Sequence, residues 1–183
     1  MSEAEPEAQL QPFHGNHDRV TFDCGVGALN DWLRTSASQQ AKSNTARTFV
    51  ATPKNVPAWH KAGYTDVTEN TILGYIALSS GQAEETQLPE MARKKLPRSV
   101  PIARLGRLAV DKRFQGQGLG EVLLMEAVRQ ALIAAEAIGV AGIFIDAKAE
   151  ARPFYEKYGF VASEDAPDKM WMPLQALRQL MSG

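Results

Sequence analysis

Gly116, Gly118 and Gly120 alternate within the stretch Leu108-Ala-Val-Asp-Lys-Arg-Phe-Gln-Gly-Gln-Gly-Leu-Gly120, and an apolar, helix-periodic segment begins at its end. Glycines let a backbone bend so that successive N–H groups point into one concavity. The first N–H groups of a helix lack intrahelical acceptors, and the positive end of its dipole lies there. A loop and a helix start combined in this way suit a phosphate, and a pyrophosphate above all. The spacing excludes two common alternatives. A dinucleotide loop wants G-x-G-x-x-G with an acidic residue roughly 20 positions on. A Walker loop wants Gly-Lys-Ser or Gly-Lys-Thr, which is absent.

The surrounding charge agrees with an anionic ligand. Residues 91–113 hold Arg93, Lys94, Lys95, Arg98, Arg104, Arg107, Lys112 and Arg113 against Asp111 alone, a local +7 in a chain of net charge −1. Such clustering favours coenzyme phosphates, nucleic acid or both, and its bland alternative is a solvated basic face. Cys24 is the only cysteine, which excludes an internal disulfide and a cysteine-based zinc site. No metal site is expected. His14, His17 and His60 lie outside the glycine-rich segment and read as surface or core residues. Asp146 and Glu150 are candidates for positioning a water.

The elements that must hold these groups follow from periodicity. Leu29, Trp32, Leu33 and Ala37 recur at helical spacing, which predicts one helix from about Val26 to Lys42. Strands are expected at 46–52, 71–79 and 100–110, with a loop over 53–69 and a short helix over 88–95. Leu123, Leu124, Ala127, Val128, Ala131, Leu132 and Ala135 form an apolar stripe, so residues 120–138 read as a helix stopped by Gly139. A buried-type strand at 140–145, a helix at 149–158 and strands at 159–163 and 168–173 complete the order. The class is α/β (α+β): a central mixed, mostly antiparallel sheet of six to seven strands flanked by about four helices. Residues 1–12 carry acidic, Gln, Ala and Pro residues and read as a flexible acidic leader, with the folded domain over 13–183. No stretch approaches the roughly 20 apolar residues of a membrane span, and no signal peptide is evident, so a soluble cytoplasmic protein is expected.

Gln115-Gly-Gln-Gly118-Leu-Gly120 resembles the R/Q-x-x-G-x-G/A signature of the GNAT acetyltransferase superfamily. Ala151-Arg-Pro-Phe-Tyr155-Glu-Lys-Tyr-Gly-Phe160 is similar to a second segment of that family, in the right order downstream. The resemblance implies the GNAT fold and acetyl-CoA as acetyl donor. Backbone N–H groups of Gln115, Gly116, Gln117, Gly118, Leu119 and Gly120 would hold the pyrophosphate, and Leu108, Ala109 and Val110 would line the pantetheine arm. Tyr155 would protonate the departing thiolate.

Within the superfamily the chain most resembles the TacT-type toxins of type II toxin–antitoxin modules. Phe22-Asp-Cys-Gly25, Arg104-Leu-Gly-Arg-Leu-Ala-Val-Asp111, Asp146-Ala-Lys148 and Met170-Trp-Met-Pro-Leu174 carry that likeness. It implies acetylation of the α-amine of aminoacyl-tRNA, a block of translation, and neutralisation by a ribbon-helix-helix antitoxin. Arg93, Lys94, Lys95, Arg98 and Arg104 would receive the tRNA, and a homodimer is left open. Two other readings stay open: a GNAT enzyme acting on a small amine or protein N-terminus, and a non-catalytic CoA-binding module. The loop at 53–69, with Trp59, His60 and Tyr64, reads as decoration of a hairpin.

Overall fold

The computed structural model describes residues 5–183; the first four residues of the expected leader lie outside the described residues. Seven strands form one sheet in the order β1-β2-β3-β4-β5-β7-β6. They are β1 (Ala8–Pro12), β2 (Arg47–Pro53), β3 (Gly74–Glu84), β4 (Ser99–Val110), β5 (Gly142–Asp146), β6 (Val161–Ala162) and β7 (Lys169–Pro173). Seven α-helical segments are present among the described residues: α1 (Gly27–Thr35), α2 (Ala37–Lys42), α3 (Val56–Lys61), α4 (Glu90–Arg93), α5 (Leu119–Ile138), α6 (Arg152–Lys157) and α7 (Leu174–Ser182). β1 with β2, β5 with β7 and β6 with β7 are antiparallel, whereas β4 with β5 is parallel. The mixed, mostly antiparallel sheet matches the expected class, while the helices exceed the expected four because the first splits into α1 and α2, α3 lies in the expected loop, and α7 closes the chain.

Contacts divide the chain into two units: residues through Ala77 with Arg107–Leu124, and Leu78–Gly106 with Met125–Gly183. β3, β4 and α5 contribute residues to both. The core of the first unit gathers Phe22, Trp32, Leu33, Val50, Ile72, Tyr75 and Ala109. Tyr75 is fully buried, stacks on Trp32 with centroids 6.0 Å apart and donates its hydroxyl to the Leu29 carbonyl at 2.7 Å. The core of the second gathers Ala83, Leu88, Val100, Ile102, Phe144 and Trp171.

Three expectations are corrected. Residues 8–12, assigned to the leader, form an edge strand in register with β2 from Ala8 opposite Pro53 to Pro12 opposite Phe49. The Glu7 carbonyl accepts from Lys54 N and Trp59 Nε1, both at 2.9 Å, so tertiary partners rather than intrinsic hydrophobicity hold this polar strand. The single helix over 26–42 breaks at Ser36. There the Thr35 hydroxyl donates back to the Asp31 carbonyl at 2.7 Å, a contact that bends helices. The closing helix α7 was not expected; Leu174, Leu177 and Leu180 recur at helical spacing, with Leu177 buried.

Gly142 opens β5 where the chain has no room for a side chain. A Cβ there would collide with the Met172 carbonyl and approach the Trp171 ring to 2.7 Å. Gly142→Ala is expected to cost about 1–3 kcal/mol, as overpacking typically does. Thermal unfolding checks this, since each kcal/mol lowers Tm by about 2–4 °C in a chain of this size.

Candidate active site

In the first unit the end of β4 runs directly into a phosphate-binding geometry. β4 pairs with β5 only over Ala103–Leu105, and Gly106–Val110 continue past that register. Ala109 is buried, while Leu108 and Val110 are half-buried. A 3-10 turn over Lys112–Phe114 follows, then the loop Gln115–Gly118, then α5. Gly116 and Gly118 adopt φ of +80° and +83°, a region that glycine enters without strain. A Cβ at either would meet nothing within 4 Å, so the space above both is open. Among the described residues, no N–H from Gln115 to Glu121 donates to a protein acceptor; Val122 N, bonded to Gly118 O at 3.3 Å, is the first that does. The result is a row of N–H groups without protein acceptors at a helix N-terminus, beside two glycines with open space at their Cα atoms. That donor set fits a pyrophosphate.

The root of this loop is fixed by Asp111, whose side chain is 1% exposed. Its carboxylate accepts from Arg113 N and Nε at 2.9 and 3.1 Å, from Arg113 Nη2 at 3.3 Å, and from Asp23 N at 3.1 Å. Asp111 N donates to the Leu73 carbonyl, and Lys112 N to the Asp23 carbonyl, each at 2.9 Å. Asp23 in turn accepts from Gly25 N, Asn30 Nδ2 and Lys112 Nζ. The Gly25 N–H first, then Lys112 and Asn30, hold its carboxyl down to about 2. The Gln115 amide donates to the Val110 and Cys24 carbonyls at 2.9 and 3.3 Å. The Phe22-Asp-Cys-Gly25 segment is therefore the clamp on the loop's base. Cys24 is buried, and burial pushes its thiol up, away from nucleophilic chemistry.

The second unit holds Tyr155, on α6. Its side chain is 7% exposed, edge-on to Phe154 at 5.1 Å and to Phe160 at 5.7 Å. Burial alone pushes its hydroxyl up to about 12. Phe154 and Tyr158 are half-buried and lean on each other at 5.2 Å. Asp146, a candidate to position water, instead gives both oxygens to Lys169 Nζ at 2.6 Å. Glu150 is exposed. His17 is buried and lowered to about 4, first by burial and then by His14, while His60 bonds the Val67 carbonyl at 2.8 Å.

The basic run is less free than its sequence implies. Arg93 is tied to the Leu88 and Thr86 carbonyls and to Asp165. Arg104 lies over the Phe144 ring at 5.1 Å, and Arg107 over Trp32 at 4.2 Å. Lys112 and Arg113 pair with Asp23, Asp111 and Asp66. Lys94, Lys95 and Arg98 remain exposed, with no ion pair among the described residues. Sequence reasoning missed Asp111 and Asp23 as structural hubs. For Asp111 the readable signal was an Asp at a strand end before a turn, the position that caps free N–H groups.

Residues 69–178 match the model of the acetyltransferase (GNAT) domain. The chain belongs to the GNAT acetyltransferase family and is an N-acetyltransferase with acetyl-CoA as the donor. It is 31% identical over 165 residues to a tRNA-acetylating toxin of Mycobacterium tuberculosis, covering 90% of each chain. It also resembles AtaT complexed with acetyl-methionyl-tRNAfMet, with TM-score 0.81, 27% identity and 96% and 99% of the two chains covered. AtaTR bound with acetyl-CoA is similar at TM-score 0.74 and 26% identity, covering 95% and 98%. No helix among the described residues is long and apolar enough to cross a membrane.

Proposed function

We propose that this chain moves the acetyl group of acetyl-CoA onto the α-amine of an aminoacyl-tRNA in the cytoplasm, and so stops translation. The observation that carries the acceptor is the likeness to a tRNA-acetylating toxin over nine-tenths of both chains. Acetyl-CoA supplies an activated thioester. The N–H row from Gln115 to Glu121 binds its pyrophosphate, and the end of β4 at Leu108–Val110 lies along its extended amide arm. A backbone N–H of that strand polarises the thioester oxygen, and Tyr155 delivers a proton to the leaving sulfur. No side chain is required to strip the acceptor amine. An α-amine with pKa near roughly 8 has a useful neutral fraction at physiological pH, whereas a lysine near roughly 10.4 does not.

Lys94, Lys95 and Arg98 are the cations available for tRNA phosphates; Arg93 and Arg104 shape that segment through the contacts that already engage them. Incubating the protein with labelled acetyl-CoA and total charged tRNA should place label on aminoacyl-tRNA. Replacing Lys94, Lys95 and Arg98 together by Gln should weaken transfer and flatten its salt dependence by about two to three in log–log slope, at roughly 0.7–0.9 per phosphate contact. Label moving to a polyamine or a peptide, with none on aminoacyl-tRNA, would overturn this acceptor. A ribbon-helix-helix antitoxin is the partner this reading implies, and co-expression with one should relieve growth arrest.

A further inference from the structure

The segment between β2 and β3 is not decoration. α3 and the turn after it place Trp59, Tyr64 and Asp66 beside the 3-10 turn and the phosphate loop. Trp59 is buried and meets the Phe114 ring edge-on at 5.7 Å. Tyr64 packs on Trp59 at 5.5 Å and on Phe114 at 5.3 Å, closing a three-ring cluster. Its hydroxyl accepts a hydrogen bond from Gln117 Nε2 at 2.7 Å. Asp66 pairs with Arg113 at 2.9 Å. The excursion is itself anchored: Trp59 Nε1 donates to the Glu7 carbonyl at 2.9 Å, His60 Nε2 bonds the Val67 carbonyl at 2.8 Å, and Gly63 makes the reversal at φ +103°.

The magnitudes rank these links. The Asp66–Arg113 pair is largely solvent-exposed and contributes little. Each aromatic pair adds about 0.5–1.5 kcal/mol beyond its buried area, and those pairs hold Phe114, the residue just before the loop. Gln117 sits between Gly116 and Gly118, the loop's two positive-φ glycines, so its side-chain contact restrains the part of the N–H row whose backbone has the widest conformational freedom. A row of donors binds an anion well when its geometry is set beforehand, because ordering it during binding subtracts from affinity.

We propose that the 54–68 excursion is a built-in prop of the pyrophosphate loop, with Tyr64 as a positioning residue that acts through Gln117 on acetyl-CoA affinity. Tyr64→Phe keeps the ring cluster and removes only the hydroxyl; Gln117→Ala removes the other end of the bond. Calorimetric titration of acetyl-CoA into the full chain should show Kd raised about three- to tenfold by Tyr64→Phe, the range of one neutral hydrogen bond. The rate at saturating acetyl-CoA should stay within about twofold, which a general loss of structure would not allow. Gln117→Ala should give a similar Kd, and the double variant should be no weaker than either single one. An unchanged Kd for Tyr64→Phe overturns the proposal, as does multiplication of the two single effects in the double variant. A lowered saturating rate with unchanged Kd overturns it too, since that would place Tyr64 on the acceptor side. A wild type that binds no acetyl-CoA would remove the donor assignment itself, so the two failures are distinguishable.

Discussion

Tyr155→Phe is expected to lower acetyl transfer by about 10²–10⁴-fold, the usual contribution of a positioned acid, while acetyl-CoA binding stays nearly unchanged. The substitution keeps the ring that packs between Phe154 and Phe160 and removes only the hydroxyl. Folding should therefore be intact, and a thermal melt beside the rate measurement confirms that. The pH dependence is a second signature. An acid works only while protonated, and burial pushes the Tyr155 hydroxyl up to about 12. The limb on which activity falls with rising pH is moved upward by that shift. The rate should rise as the acceptor α-amine loses its proton near roughly pH 8, then hold level through pH 10. Full activity of Tyr155→Phe would remove the tyrosine from the reaction. A wild-type rate that falls between pH 8 and 10 would point to a different acid with a lower pKa.

Asp111→Ala should be the most destabilising single change at the site, by about 1–3 kcal/mol. Its carboxylate is almost fully buried and collects two backbone N–H groups and the Arg113 guanidinium. Deleting it leaves Asp23 N and Arg113 N, both part-buried, without their acceptor, while the exposed Arg113 guanidinium keeps Asp66. At about 2–4 °C per kcal/mol, Tm should fall by roughly 2–12 °C. Acetyl-CoA affinity should weaken as well, because Asp111 joins β4, the 3-10 turn and the Asp23 clamp at the base of the N–H row. Asp111→Asn keeps the shape and one acceptor oxygen, so its loss should be smaller. A fall below about 1 kcal/mol for the alanine variant would mean that Gln115 and the aromatic cluster hold the loop without it.

The strand–loop–helix at 108–138 was legible because each of its signals is local. An apolar strand, alternating glycines and a helical stripe closed by Gly139 require no distant partner to be recognised. β1 was illegible for the opposite reason: Gln9 and Gln11 carry no hydrophobic signal, and the strand exists through its ladder to β2 and the contacts of Glu7. The basic run shows a subtler limit. Composition counts Arg93, Lys112 and Arg113 as free charge, and only the fold shows that Asp165, Asp23, Asp111 and Asp66 engage them.

The amino-acid sequence alone pointed to a glycine-rich strand–loop–helix suited to a phosphate, while the acetyl-CoA donor and the proton-giving role of Tyr155 came from motifs that resemble the GNAT family. Those depend on residues close together in the chain, where backbone conformation and helix periodicity act directly. Tertiary structure decided what holds that loop in place: a carboxylate at the end of β4, a clamp from residues 22–25, and two rings, packed on Phe114, from an excursion that read as a plain loop. Such contacts join residues from about 50 to 90 positions apart, as Gln117 to Tyr64 and Asp23 to Asp111 do. No local pattern encodes them, because they form only once the sheet has brought distant segments together.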